Sequence, residues 1–387
     1  MSFTRILLFL VVLAVIVGGG HYYLWTRLVR DTQLPMPWSR VATGLLFVLP
    51  VLTLVGQVLG RGPRGAATPL AWLAYVWMGT AFFLLLGVLA ADLFRVALRV
   101  AALVNPGLDD PGRRLFFHRV LGAGAALTGL GLAAGGMASA LGTTTIEKVK
   151  ITLRGLGKER SGYRIVQISD IHVGPTIGKE FMDRLVARIN ALEPDMIAIT
   201  GDLVDGSVAH LGPFVAPLGE LKARDGVFFV TGNHEYYSGV DPWLLFLGSL
   251  GIRVLRNERV AVGGDAGFDL AGVDDASAHR FGKGHGADLE RALHGRDEAR
   301  AVVLLAHQPR AALEAAERGV QLVLSGHTHG GQMFPWHHAV KLQQPFVAGL
   351  HRHKDTQVYV SRGTGYWGPP MRVSAPAEIT EIELVAG

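Results

Sequence analysis

The sequence predicts a multi-pass α-helical membrane anchor followed by an α/β domain, and three observations predict it. Of the 387 residues 49% are hydrophobic and 18% charged, with a mean hydropathy of +0.31, whereas a soluble globular protein carries about a quarter charged residues. The apolar excess lies in four uncharged stretches within the first 145 residues. From residue 162 onward, short apolar runs alternate with amphipathic helical patterns, as in layered α/β domains.

The uncharged stretches are 6–25, 41–59, 70–91 and 120–141, each with about the twenty residues that cross roughly 30 Å of hydrocarbon. The first ends in Tyr22, Tyr23 and Trp25 and the third begins with Trp72, Tyr75 and Trp77, rings that favour the headgroup layer. His21 is expected at that interface. The fourth is rich in glycine and alanine. It is either a helix that another backbone approaches closely or a weakly hydrophobic, signal-like segment. The spans contain no carboxylate, Lys or Arg, so they offer no ion or proton pathway and read as an anchor.

Charge divides with the halves. Residues 1–145 hold eleven Arg and Lys against four Asp and Glu, leaving 26 basic and 28 acidic residues in 146–387. The net charge of +5 therefore belongs to the membrane half, and no nucleic-acid recognition is expected. The absence of Cys excludes disulfide scaffolds, thiolate zinc sites and cysteine nucleophiles.

Positive residues are retained on the cytoplasmic side. Loop 27–40 and segment 95–119 carry eight arginines, and the opposite side has Arg5, Arg61 and Arg64. This balance places the domain after residue 145 outside the cytoplasm, in a multi-pass protein of the cell membrane. Arg113-Arg114-Leu115-Phe116-Phe117 resembles a twin-arginine export signal and agrees; Lys148, Lys150, Arg154 and Lys158 after the fourth span oppose.

In the second half, strands are expected at 163–168, 195–200, 227–231, 268–273, 301–306, 320–325, 357–361 and 378–384. In 178–192, Phe181, Met182, Leu185, Val186, Ile189 and Leu192 make one apolar helical face. The Gly-rich stretch 263–286 reads as a long exposed loop. Five strands run into polar residues: Asp170 and His172, Asp202, Asn233-His234-Glu235, His307, and His327 with His329. Asp and Asn are ordinary turn residues, but five strand ends that all offer metal-ligand types imply one convergent centre beyond the carboxyl ends of the strands.

The order Asp-x-His, Gly-Asp, Gly-Asn-His-Glu, His, Gly-His-x-His resembles the calcineurin-like metallophosphoesterases over roughly 163–384. Ser325-Gly326-His327-Thr328-His329-Gly330-Gly331-Gln332 and Ser361-Arg362-Gly363-Thr364-Gly365 look like its bacterial membrane-associated branch. The resemblance implies two mixed β-sheets packed face to face and flanked by helices over 146–387, after a four-helix transmembrane region at 1–145. It also implies that Asp170, His172, Asp202 and His329 hold one divalent ion, and Asp202, Asn233, His307 and His327 a second.

Four imidazoles, two carboxylates and one amide suit Mn, Fe or Zn better than Ca. Seven ligands are too many for one ion, and a carboxylate can bridge two held roughly 3.5–4 Å apart. The expected reaction is hydrolysis of a phosphodiester or pyrophosphate bond by in-line attack of a hydroxide bridging the metals. His234 would act on the leaving oxygen, held by Glu235 or another carboxylate, and Arg362 would either bind phosphate or serve in packing or a salt bridge. The anchor favours a lipid-linked or envelope phosphoester as substrate, with the bilayer itself as partner. Hydrolysis of a UDP-diacylglucosamine-type lipid precursor is the more specific alternative, and a metal-retaining sensor without turnover is the non-enzymatic one.

Overall fold

The computed structural model describes residues 3–59, 64–104 and 110–387. They form two compact units, one running to Ala138 and including Gly368–Met371, the other comprising Ser139–Trp367 and Arg372–Gly387.

The first unit contains helices α1 (Phe3–Trp25), α2 (Trp38–Leu59), α3 (Arg64–Val104) and α4 (Pro111–Leu141). Among the described residues three segments are long and apolar enough to cross a membrane, Trp38–Gln57, Pro69–Val104 and Pro111–Leu141. The first expected span, 6–25, is helical within α1 but is not one of these three. Helix α3 does not stop at residue 91. Residues 92–104 contain no Gly or Pro and are rich in Ala, Leu and Arg, all good helix formers, so Asp92, Arg95 and Arg99 continue the helix. The segment 95–119 between the spans is thus largely helical where described; its residues 105–109, like Arg61 in the orientation count, lie outside the described residues.

His21 is buried among the helices. It is 8% exposed, its Nε2 accepts from Trp77 Nε1 at 3.0 Å, and its Nδ1 lies 2.7 Å from the Val17 carbonyl, since a buried imidazole needs partners for both nitrogens. The close-approach reading of the fourth stretch holds: a Cβ on Gly129 would stand 3.0 Å from the backbone of Leu84.

The second unit has twelve strands: β1 (Thr145–Leu153), β2 (Tyr163–Ile168), β3 (Met196–Ile199), β4 (Val227–Phe229), β5 (Arg253–Val254), β6 (Glu258–Val262), β7 (Phe268–Gly272), β8 (Ala301–Leu305), β9 (Leu322–Ser325), β10 (Gly349–His353), β11 (Thr356–Val360) and β12 (Glu378–Ala386). One sheet has the order β1-β12-β2-β3-β4-β5 and the other β10-β11-β9-β8-β7-β6. Both are mixed. β2, β3, β4 and β5 are mutually parallel, as are β11, β9, β8 and β7, with antiparallel pairs at β12–β2, β10–β11 and β6–β7.

Alternation along the strands builds the layers. Ile165 turns into the core between the sheets with Met196, Phe228, Leu270, Val303 and Leu324. Its neighbour Val166 turns outward with Ile197 and Ile199, against Met182, Leu185, Val186 and Ile189 of helix α5 (Lys179–Asn190). The outer face of the second sheet, with Val302, Leu304 and Val323, is covered by Ala312, Ala315 and Leu289. Each large aliphatic side chain so buried contributes about 1.5–3 kcal/mol.

Strand β1 went unrecognised because polar residues fill half its positions. Lys148 and Lys150 instead pair across to Glu381 and Glu383 of β12 at 3.1 and 3.2 Å. The stretch 263–286 is not one exposed loop: it contains β7, and Asp274 and Asp275 are buried. Asp274 is paired with Arg256 at 2.6 Å and Asp275 accepts from Gln308 at 3.0 Å, the partners that buried carboxylates require.

Candidate metal centre

Asp170 and His172 follow β2, Asp202 follows β3, Asn233 and His234 follow β4, His307 follows β8, and His327 and His329 follow β9. Adjacent strands end level, with Ile168 opposite Ile199, Ile199 opposite Phe229, and Leu305 opposite Leu324. Hydrogen bonds tie the sheets together at this edge. The His327 backbone N–H donates to both oxygens of Asp170 at 3.0 and 2.9 Å, and Gln167 Nε2 donates to the Ser325 carbonyl at 2.9 Å.

The chain turns sharply at each end. Asp170, His172, Asp202, His327 and His329 all have positive φ, between 51° and 69°, a conformation that costs a non-glycine residue about 1–3 kcal/mol and collects at functional sites. Room comes from Gly326, where a Cβ would lie 2.0 Å from Ser169 Oγ and 2.1 Å from Asp170 Oδ2.

Three groups of side chains result, one of them His172, Asp205 and His234, and the other two contain the expected ligands. Asp170, His172 and His329 form one: His329 Nε2 lies 3.1 Å from His172 Nε2 and 3.4 Å from Asp170 Oδ1. Asp202, His307 and His327 form the other, with His307 Nε2 3.0 Å from Asp202 Oδ2 and 3.1 Å from His327 Nδ1. Asp202 Oδ2 is also 3.9 Å from His172 Nε2, so this one carboxylate lies between the groups.

The donor set fits two cations. Asn233 Oδ1 is buried and has no hydrogen-bond partner, although buried amide oxygens normally find one. His307 Nδ1 faces the Thr200 carbonyl at 2.7 Å and His172 Nδ1 faces Asp205 at 3.1 Å. Such bonds put the ring proton on Nδ1 and leave the Nε2 lone pair for a metal.

A family profile described as calcineurin-like phosphoesterase matches residues 163–331. An uncharacterised metallophosphoesterase of Helicobacter pylori is 42% identical over 275 residues, covering 70% of this chain and 72% of that protein. Another, from Campylobacter jejuni, is 32% identical over 381 residues and covers 98% of both. The chain belongs to the calcineurin-like metallophosphoesterases. It is also 45% identical over 263 residues, 65% of its length, to the transmembrane protein with metallophosphoesterase domain of Bos taurus. The chain spans about three fifths of the length of such vertebrate relatives.

The family domain is preceded in this chain by apolar helices. Glu235 does not hold His234: it accepts from the backbone N–H groups of Asp202, Leu203 and Gly232 at 3.0, 2.7 and 2.6 Å, bracing the ends of β3 and β4. Burial and the neighbouring Asp202 charge push its carboxyl up to about 7. The partner of His234 is Asp205, with His234 Nδ1 2.5 Å from Asp205 Oδ1. Burial disfavours the His234 imidazolium, but the Asp202 charge and the bond to Asp205 outweigh it and raise His234 to about 9. Against its own burial, Asp205 is held far below the usual carboxylate range by His172 and His234.

Arg362 takes the salt-bridge role. Its guanidinium is taken by Glu147 at 2.8 Å and Glu378 at 2.5 Å, because it emerges beside β1 and β12 where those carboxylates stand. The guanidinium that does reach the centre is that of Arg372, fully buried, with Nη2 3.3 Å from His329 Nδ1. Burial lowers it to about 10. Asp205 had a legible signal, a carboxylate in the same strand-end loop as Asp202. Arg372 had none, lying 43 residues beyond His329 in an irregular segment.

Proposed function

We propose that residues 146–387 form a dinuclear-metal phosphoesterase that hydrolyses phosphodiester or pyrophosphate bonds. In this reading residues 1–145 anchor it in the cell membrane. Asp170, His172, Asp202 and His329 hold one divalent ion, and Asp202, Asn233, His307 and His327 hold the other. The observation that carries this reading is the position of Asp202 between two ligand groups, beside an Asn233 carbonyl with no other partner.

When bound, two such ions lower the pKa of water and neutralise phosphate oxygens. The chain's own part is proton control. Asp205 fixes His234 through Nδ1, which leaves Nε2 to protonate the leaving oxygen.

A lipid-linked substrate is favoured by what surrounds His234. The rings of Tyr237 and Trp367 stand 5.3 and 5.7 Å from its centre, yet are 63% and 56% exposed. Trp367 is clamped by Gln332, which accepts from its N–H and donates to its carbonyl, both at 2.9 Å. Rigid aromatic surface held open beside a reactive group suits an apolar moiety next to the phosphate. The arginine balance further supports an extracytoplasmic position for the domain.

The deciding experiment assays the full-length protein, loaded in turn with Mn, Fe and Zn, on an aryl phosphodiester and an aryl phosphomonoester. Metal-dependent diester hydrolysis that chelation abolishes is the expected result. A full metal complement with no turnover on either ester, or on a lipid pyrophosphate, would make the protein a metal-retaining sensor instead.

A further inference from the structure

Between the arginine-rich ends of the helices, the membrane unit has an open cavity of about 450 Å³, within the usual size of small-ligand sites. Arg30, Arg95, Arg99, Arg114 and His118 line it, with Asp31 as the one carboxylate among the described residues. That carboxylate is already engaged: its oxygens accept from Arg27 Nη1 at 2.8 Å and Arg30 Nε at 3.0 Å. Asp92 behind the wall is engaged as well, accepting from Tyr23 Oη at 2.6 Å, from Arg27 Nε at 2.9 Å and from Arg95 Nη1.

Arg95 is left short of acceptors. It is 7% exposed, and its Nε and Nη2 are buried without a hydrogen-bond partner. His118 Nδ1 is in the same condition. A guanidinium stays charged, and each buried donor without a partner costs about 1–3 kcal/mol. No acceptor among the described residues removes that cost, whereas an anion with several oxygens in the cavity would. Guanidinium groups are matched to phosphate in geometry and hydration.

The flanks identify what carries the phosphate. Leu93, Val96, Val100 and Leu103 of α3 and Phe116 of α4 are each more than half exposed. A ligand seated among the arginines therefore has apolar helix surface beside it for hydrocarbon chains. Basic pockets between membrane helices select anionic headgroups by this combination. We propose that the cavity binds the phosphate of an anionic phospholipid, with Arg95 as the central contact. This lipid is a resident of the anchor, separate from any substrate at the metal centre.

The test uses the full-length protein in nanodiscs of phosphatidylcholine doped with phosphatidylglycerol, with lipid retained after extraction counted by native mass spectrometry. Phosphatidylglycerol is expected to be retained over phosphatidylcholine, and Arg95→Gln to reduce that retention about tenfold. Aryl phosphodiester hydrolysis at the wild-type rate would show that the variant is folded. Should Arg95→Gln fail to fold, Arg99→Gln, at the exposed wall, is expected to reduce retention severalfold. Equal retention of the two lipids, or wild-type retention in a folded Arg95→Gln protein, overturns the proposal. So does displacement of the lipid by millimolar inorganic phosphate, which would assign the cavity to a soluble anion.

Discussion

His234 and Asp205 are joined by a hydrogen bond of 2.5 Å between Nδ1 and Oδ1, and the same Asp205 oxygen lies 3.1 Å from Nδ1 of His172. One carboxylate thus orients both a proposed metal ligand and the proposed acid. The rings of His172 and His234 meet edge to face, 4.7 Å between centres, so neither can rotate without displacing the other.

Asp205→Asn is accordingly expected to lower kcat by about tenfold or more and to weaken metal binding within the 10–100-fold range seen for partners of metal-ligating histidines. Paired measurements of metal affinity and turnover check this. Loss of turnover with unchanged affinity would confine Asp205 to His234 alone.

Replacing His234 with Ala should leave the metal content near that of the wild type while slowing hydrolysis about a hundredfold or more, the scale for losing a positioned acid. The loss should shrink for aryl esters whose leaving groups have low pKa, since these need little protonation. Metal analysis of the purified variant is decisive: if the ions leave with the imidazole, His234 is a ligand.

For Asp202→Asn the expectation is different in kind. Both ligand groups lose the anion that lies between them. Hydrolysis should vanish and bound metal should fall. Two ions per chain and normal turnover in this variant would rule out a bridging role.

Topology can be read with single cysteines, because the native chain has none. In intact cells a membrane-impermeant maleimide should label Ser161→Cys without permeabilisation and Ser39→Cys only after lysis, as the arginine balance requires. The reverse pattern would place the metal centre in the cytoplasm and direct the substrate search to inner-leaflet lipids.

The sequence by itself determined the apolar helices, the eight principal strands and the polar residues at five strand ends, because each is a local matter of hydropathy, side-chain period or turn chemistry. It also carried the order of motifs that marks the family. Strand β1 was hidden because its partner β12 lies more than 220 residues away and its lysines find their carboxylates only there.

The tertiary structure alone decided which carboxylate serves which imidazole. Glu235 is adjacent to His234 in sequence, yet the helical turn it enters aims it at the backbone of Asp202 and Leu203, and Asp205 takes the ring across the gap between two strand ends. Arg362 pairs with Glu147 and Glu378, and Arg372 reaches His329, for the same reason. A guanidinium pairs with whatever carboxylate or imidazole the packing of the sheets brings within about 3 Å, and no spacing along the chain records that distance.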